Sequence, residues 1–322
     1  MAHSKLQNHF TIEEAIGRMT LSAIAHPFDV AKILIQLGYE PLPAKPTITF
    51  LFKTQRMQYP NVFGYLAYIR KEDGFLGLYR GFRYKMLYTL INGFVHVNLT
   101  EILKQYEKEQ DSDNEDEVVA ETQGAAVVRR DPLKKPTIKE LFDQLSRETF
   151  CKFITLSISY PLQLIVIRSI AQFVGREQIY DSLGSAVTDI YTKGGLTGFY
   201  AGFVPRFFGD IFVLWSSHGL IFLVKQFVEG DNAVQGYLAA CVNFIVTSFM
   251  YPFNVVSTVM AVNGPEANSL VASAISPDFN HDWTAAWQHL SSLGQIKRGS
   301  SMFWRYKAGV MQDKFIRPLK RE

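Results

Sequence analysis

The sequence predicts an all-α membrane protein: a three-fold repeat bundle with about five transmembrane helices, a missing sixth, and short surface helices between them. Three observations lead there. One segment, 233–265, runs for thirty-three residues without Asp, Glu, Lys or Arg, and about 20 such residues are enough to cross a bilayer core. Other apolar segments carry polar residues at helical spacing. A proline pattern and a glycine pattern recur along the chain.

Composition agrees with the first of these. Of 322 residues, 48% are hydrophobic and 14% aromatic, yet 20% are charged and mean hydropathy is +0.02. That balance suits spans joined by substantial polar loops. The formal charge of +3, with no basic cluster interleaved with aromatics, excludes a nucleic-acid partner. Cys151 and Cys241 lie far apart in apolar stretches, without CxxC or Cys/His spacing, so they read as inert thiols with no metal site. Residues 1–10 show neither a secretory nor a transit pattern, and targeting information is expected to be internal.

The remaining spans are about 15–38, 86–100, 153–167 and 211–224. In the first, Arg18, Ser22, His26, Asp29, Lys32 and Gln36 recur every three or four positions, which places them on one helix face. Thr89, Asn92, His96, Thr100 and Lys104 repeat this on the second span. Lys152, Thr155, Ser159 and Gln163 form the third stripe, and Arg206, Asp210, Ser217 and Lys225 the fourth. Gln235, Asn243, Thr247, Asn254 and Thr258 form the fifth. A charge inside a span costs about 2.5–3.5 kcal/mol on insertion scales, so it should face protein or water. The stripes therefore predict a common hydrophilic interior. For the neutral Ser, Thr and Asn, hydrogen bonding between helices is an alternative reading.

The repeat is visible in two elements. Pro27, Pro161 and Pro252 stand in His26-Pro27-Phe28-Asp29-Val30-Ala31-Lys32, Tyr160-Pro161-Leu162-Gln163 and Tyr251-Pro252-Phe253-Asn254. Some forty residues beyond each comes the second element: Glu72-Asp73-Gly74 through Arg80-Gly81, then Gly194-Gly195 through Ala201-Gly202. A damaged third version runs from Arg298-Gly299 to Trp304-Arg305. Gly74, Gly81, Gly195 and Gly202 read as structural glycines of the repeat. Repeat one covers about 12–106, repeat two about 140–229, and an incomplete repeat three about 233–306. An insertion at about 107–136 opens with seven acidic residues between Glu107 and Glu117, which predicts a solvated, disordered linker. A short tail, 307–322, closes the chain.

This pairing of elements resembles the mitochondrial carrier family, whose odd helices carry Pro-x-[Asp/Glu]-x-x-[Lys/Arg] and whose surface helices lead into an aromatic-basic-Gly element. The match extends over roughly 12–306. The stretches 32–43, 172–177 and 204–211 resemble the divergent carrier-homologue branch more than solute carriers. In the family, odd-helix acids and bases of neighbouring repeats pair into a ring that gates one side of the solute path. Here the acid positions hold Asp29, Gln163 and Asn254, and the base positions hold Lys32, Val166 and Ser257. A ring of three ion pairs cannot form, and Arg168, another of the family's positive positions, does not restore it. On the even helices, Glu101 and Lys104 keep the family's charges, but Phe222 stands where the second acid belongs. The seventeen residues after Arg305 are too few and too charged for a sixth crossing. Neither gate is expected to be completed.

A barrel lacking one stave would open its polar interior sideways to lipid. The branch resemblance implies an outer-membrane insertase for tail-anchored and other α-helical clients, and the groove would offer such a client's polar tail a path that avoids hydrocarbon. Candidate groove residues are Asp29, Lys32, His96, Gln163, Arg168, Arg206, Asp210, Asn243 and Asn254. The resemblance also implies a receptor or scaffold for apoptotic factors, with the acidic insertion and the basic stretch Lys45, Lys53 and Arg56 as surface elements. A solute transporter is a weaker expectation. No phosphate-cradling Gly-x-x-x-x-Gly-Lys loop, Gly-x-Ser-x-Gly elbow or His-Glu-x-x-His pair is present, so neither an enzyme nor a cofactor is expected. His26 and His96 are isolated, which favours hydrogen bonding over ligation.

Overall fold

A computed structural model describes residues 12–48, 55–119, 138–227, 232–264 and 267–306. Residues 1–10, Lys53, 120–136 and the tail 307–322 lie outside the described residues, as do the side chains of Arg18, Lys104, Lys225 and Gln235.

Five long helices follow the expected spans: α1 (Ile12–Leu37), α3 (Phe82–Val119), α4 (Ile138–Ala171), α6 (Phe203–Phe227) and α7 (Asn232–Val262). Three short helices come between long ones or after them: α2 (Val62–Gly77), α5 (Leu183–Gly194) and α8 (Trp283–Ser292). The order long, short, long thus occurs twice and then stops at long, short. Each short helix begins on a side chain that accepts from the backbone of its first turn: Asn61 from Gly64, Ser182 from Ser185 and Asp282 from Thr284. Such caps satisfy amides that have no partner inside the helix.

The described helices over Ile138–Ala171, Thr197–Val224 and Gly236–Val262 are long and apolar enough to cross a membrane. The helices α1 and α3 are as long, but Asp29 and Lys32 interrupt the first, and Lys85 and Glu101 the second. Pro27, Pro161 and Pro252 all lie inside continuous helices. Each removes one rung of the backbone ladder without ending the helix.

Two features differ from expectation. The helix α3 continues to Val119, so the start of the acidic insertion is helical rather than an unstructured linker. A helix nucleated upstream propagates readily into residues of good helix propensity such as Glu and Lys. There is also a small antiparallel sheet in the order β1-β2-β3, formed by β1 (Lys45–Ile48), β2 (Gln55–Tyr59) and β3 (Arg305–Tyr306). It pairs Lys45 with Gln58 and Tyr59 with Arg305. Pro41, Pro43 and Pro46 bar a helix there, and the partner strand comes from the far end of the chain.

The chain forms two compact units. One contains 89–159 and 210–246 with the start of α1, and the other contains 20–88, 160–209 and 247–306. The second holds the main core, where Val30, Leu34 and Ile35 of α1, Leu164, Ile165 and Ile170 of α4, and Ala261 and Val262 of α7 share one buried cluster.

Candidate functional site

In the second unit the repeat elements recur as geometry. Gly81, Gly202 and Gly299 all adopt positive φ, at 76°, 79° and 80°, a region that favours glycine. Each is also packed against the odd helix of the next repeat. A Cβ on Gly81 would lie 3.3 Å from the Val166 carbonyl of α4, and one on Gly202 would collide with the Ser257 carbonyl of α7. One on Gly299 would lie 3.0 Å from the Tyr251 hydroxyl and 3.2 Å from Gln36 of α1. The third contact returns to the first repeat, so the copies close on themselves. The side chain preceding each proline reaches the carbonyl preceding each of these glycines. His26 Nε2 is 3.0 Å from the Arg80 carbonyl, and the Tyr160 and Tyr251 hydroxyls donate to Ala201 at 2.7 Å and Arg298 at 3.3 Å. Gly74 and Gly195 also have positive φ, but a Cβ at either would meet nothing within 4 Å.

The ends of the odd helices carry no ring of ion pairs. Asp29 pairs with Lys85 of α3, within its own repeat, and Lys32 lies over the Tyr251 ring at 5.2 Å. Arg206 donates to Asn254 at 2.6 Å, which joins α6 to the third repeat's acid position, while Gln163 is half-buried on α4. Other contacts join two of these helices. Gln36 donates to the Tyr251 hydroxyl at 2.8 Å and accepts from Thr258 at 3.2 Å, so α1 and α7 meet through neutral hydrogen bonds. Gln36, Tyr251 and Thr258 lie outside the acid and base positions, so this junction does not depend on them.

Arg168 is not a groove residue. It is completely buried, with Nε donating to the Ala261 carbonyl at 2.9 Å and Nη1 to the Tyr180 hydroxyl at 3.4 Å. Tyr180 donates to Asp189, which also accepts from Ser269 and from Lys193. Burial pushes the Asp189 carboxyl up, but these three donors outweigh it and hold the group below its ordinary value. The network ties α4, α5 and α7 together.

After Gly299 the chain departs from the repeat. Copies one and two start α3 and α6 directly after Gly81 and Gly202; copy three passes instead through turns into β3. This strap returns to repeat one. Arg298 donates to the Gln36 carbonyl at the end of α1, Val62 donates its amide to Met302 at 2.9 Å, and Arg305 donates to Glu40 at 2.6 Å and to the Pro60 carbonyl. Burial lowers the Arg298 guanidinium to about 10, opposed by the charge of Glu40. Burial likewise raises the Glu40 carboxyl, although Arg305 and Arg298 pull it down.

In the first unit, α4 and α6 are joined by polar contacts on successive turns. Lys152 lies 3.4 Å from Asp210, Trp215 donates to Thr149 at 3.0 Å, and His218 is 3.5 Å from Glu148. Asn92 of α3 donates to Ser159 of α4 at 3.1 Å. Part of the polar stripes therefore serves helix packing. His96 and Asn243 are exposed, and Asn243 stands beside Phe244, which is 75% exposed.

Among the predicted residues, the second unit thus contains Asp29, Lys32, Gln163, Arg168, Arg206 and Asn254, and the first contains His96, Asp210 and Asn243. The sequence reading missed Lys85, although its place four residues after Gly81 matches that of Arg206 after Gly202. It also missed the partners Glu148 and His218 and the strap, which no local pattern marks. No group of three or more His, Cys, Asp or Glu among the described residues could hold a metal ion.

Comparison with known proteins agrees with this geometry. The model of the family described as "Mitochondrial carrier protein" matches residues 14–110 and 144–232. Mitochondrial carrier homolog 2 of Homo sapiens is 33% identical over 297 residues, which is 88% of this chain and 90% of that protein. Mitochondrial carrier homolog 1 of Mus musculus is 27% identical over 308 residues, 88% of this chain and 74% of that protein. Mitochondrial thiamine pyrophosphate carrier 1 of Pyricularia oryzae is 29% identical over 123 residues, covering only 36% and 37%. With the repeat's prolines and glycines in register and the family's charges largely replaced, this chain belongs to the mitochondrial carrier family, in its carrier-homologue branch.

Proposed function

We propose that the protein is an insertase of the mitochondrial outer membrane that delivers α-helical and tail-anchored clients through a laterally open polar groove. The observation that carries this reading is the end of the third repeat. Where the first two copies begin a long even helix, the described chain bends after Gly299 into β3, and no long helix follows α8 among the described residues. Polar and apolar side chains stand exposed together on α7, as Asn243 and Phe244 do. A client's apolar helix can then pass into lipid while its polar tail follows hydrophilic side chains, avoiding the cost of bare charge in hydrocarbon. Asp210, His96 and Asn243 are the side chains of the first unit assigned to the tail, and Asp29, Lys32, Gln163, Arg206 and Asn254 are the polar candidates of the second.

Solute exchange is less well supported, since it requires ion pairs that form and break in alternation. A receptor role is favoured by one feature, the acidic stretch carried on the helical extension of α3 to Val119.

The test is depletion of the protein from mitochondria, followed by measurement of insertion of a panel of tail-anchored helices alongside metabolite uptake. Loss of insertion with intact uptake is expected. Normal insertion with impaired uptake would reverse the assignment.

A further inference from the structure

The geometry points to an odd-helix end that stays shut throughout the activity, so that clients enter and leave the groove only on the other side of the closure. This rests on the groove reading above and specifies where its route stops.

The contacts that hold α1, α4 and α7 together differ in kind from a gate. Parting these helices would have to break several buried hydrogen bonds at once, and each buried donor or acceptor is without a partner until water reaches it. Here the α1–α7 junction consists of Gln36, Thr258 and Tyr251, with Gln36 and Thr258 almost completely buried. The α4–α7 junction is the buried Arg168 on a backbone carbonyl. Opening would break all of these bonds together.

The strap supplies an independent reason. It crosses from the third repeat to the first and fixes the same junction from outside, with Arg298 on the Gln36 carbonyl, Arg305 on Glu40 and Pro60, and β3 paired to β2. To part α1 from α7, the chain would have to release a strand, the buried Arg305 and the half-buried Arg298 together. Gly299 packed on Gln36 and Tyr251 adds a backbone contact with no room for sliding.

The experiment uses the full-length protein in proteoliposomes, with Cys151 and Cys241 replaced by serine. In the first arm, Q36C/T258C is bridged by a short membrane-permeant bis-methanethiosulfonate, which releases sulfinate as each thiol forms its disulfide, and insertion of a tail-anchored helix is followed. Insertion within about twofold of the uncrosslinked double variant is expected; a loss of fivefold or more on crosslinking overturns the inference. In the second arm, T258C alone is exposed to a membrane-impermeant thiol reagent, with S300C on the exposed strap as the reference. Labelling of T258C at less than a tenth of the S300C rate, with and without client, is expected; comparable labelling overturns the inference. Absence of insertion before crosslinking would sink the insertase reading alone, because the labelling arm still decides whether the end opens.

Discussion

His26 Nε2 meets the backbone carbonyl of Arg80 at 3.0 Å, occupying the place that tyrosine hydroxyls take in the other two repeats, on Ala201 and Arg298. In all three copies the residue before the kinking proline thus fastens an odd helix to the glycine of its own surface element. An imidazole and a phenol can each place one donor at the end of an aromatic ring there.

The first expectation is that His26→Tyr folds and functions like the native protein, while Tyr160→Phe loses about 1 kcal/mol of stability and His26→Ala, which also empties a buried ring site, loses about 2–4 kcal/mol. Thermal unfolding in detergent measures this. Equal losses for His26→Tyr and His26→Ala would show that the ring's hydrogen bond is not the reason for its presence.

Glycine positions should divide by their surroundings. Gly202→Ala meets both a positive φ and the Ser257 carbonyl, and should cost about 2–4 kcal/mol. Gly184, in the exposed first turn of α5 with open space around it, should gain about 0.5 kcal/mol as alanine. The two thermal midpoints should therefore move in opposite directions.

Asp189 predicts a pH dependence. Its folded pKa lies below the ordinary 3.8, so its ionised form is the one favoured by folding. The stabilisation is complete above the unfolded value and is lost as pH falls through the folded one. The difference in thermal midpoint between the native protein and Asp189→Asn should be constant from neutral pH down to roughly pH 5 and shrink below about pH 4. A difference that grew on acidification would contradict the assigned direction.

At Lys152 and Asp210, 3.4 Å apart and part-exposed, charge reversal should change client preference more than stability, since part-exposed pairs hold helices only weakly. Asp210→Lys should slow insertion of clients with basic tails relative to acidic ones, and K152E/D210K should restore much of the native ranking. Unchanged ranking in an insertion assay would remove this pair from the client path.

Removing residues 107–136 tests the acidic stretch. Docking of soluble partners to mitochondria should fall while client insertion stays within about twofold, because the deleted segment bears none of the groove residues; loss of insertion would place the segment in the client path.

The repeat, the five long helices and the loss of the family's charges were legible in the sequence because they are local. A proline, a cap or an apolar run acts within one or two turns and leaves its mark at fixed spacing. Asp29, Lys32, Arg206 and Asn254 were singled out this way, as members of stripes. Stripes do not say what lies opposite, however. Arg168 matches one of the family's positive positions, yet the fold buries it against the Ala261 carbonyl, and Lys85 carries no mark except its register with Arg206. The closure through Gln36, Thr258 and Tyr251 joins residues more than two hundred positions apart, and the strap brings Arg305 to Glu40 across a comparable distance. Periodicity fixes which side chains share a helix face, but hydrogen bonding depends on distance and direction between helices. Only the packed chain therefore decides which acid meets which base and whether an end without ion pairs is open or shut.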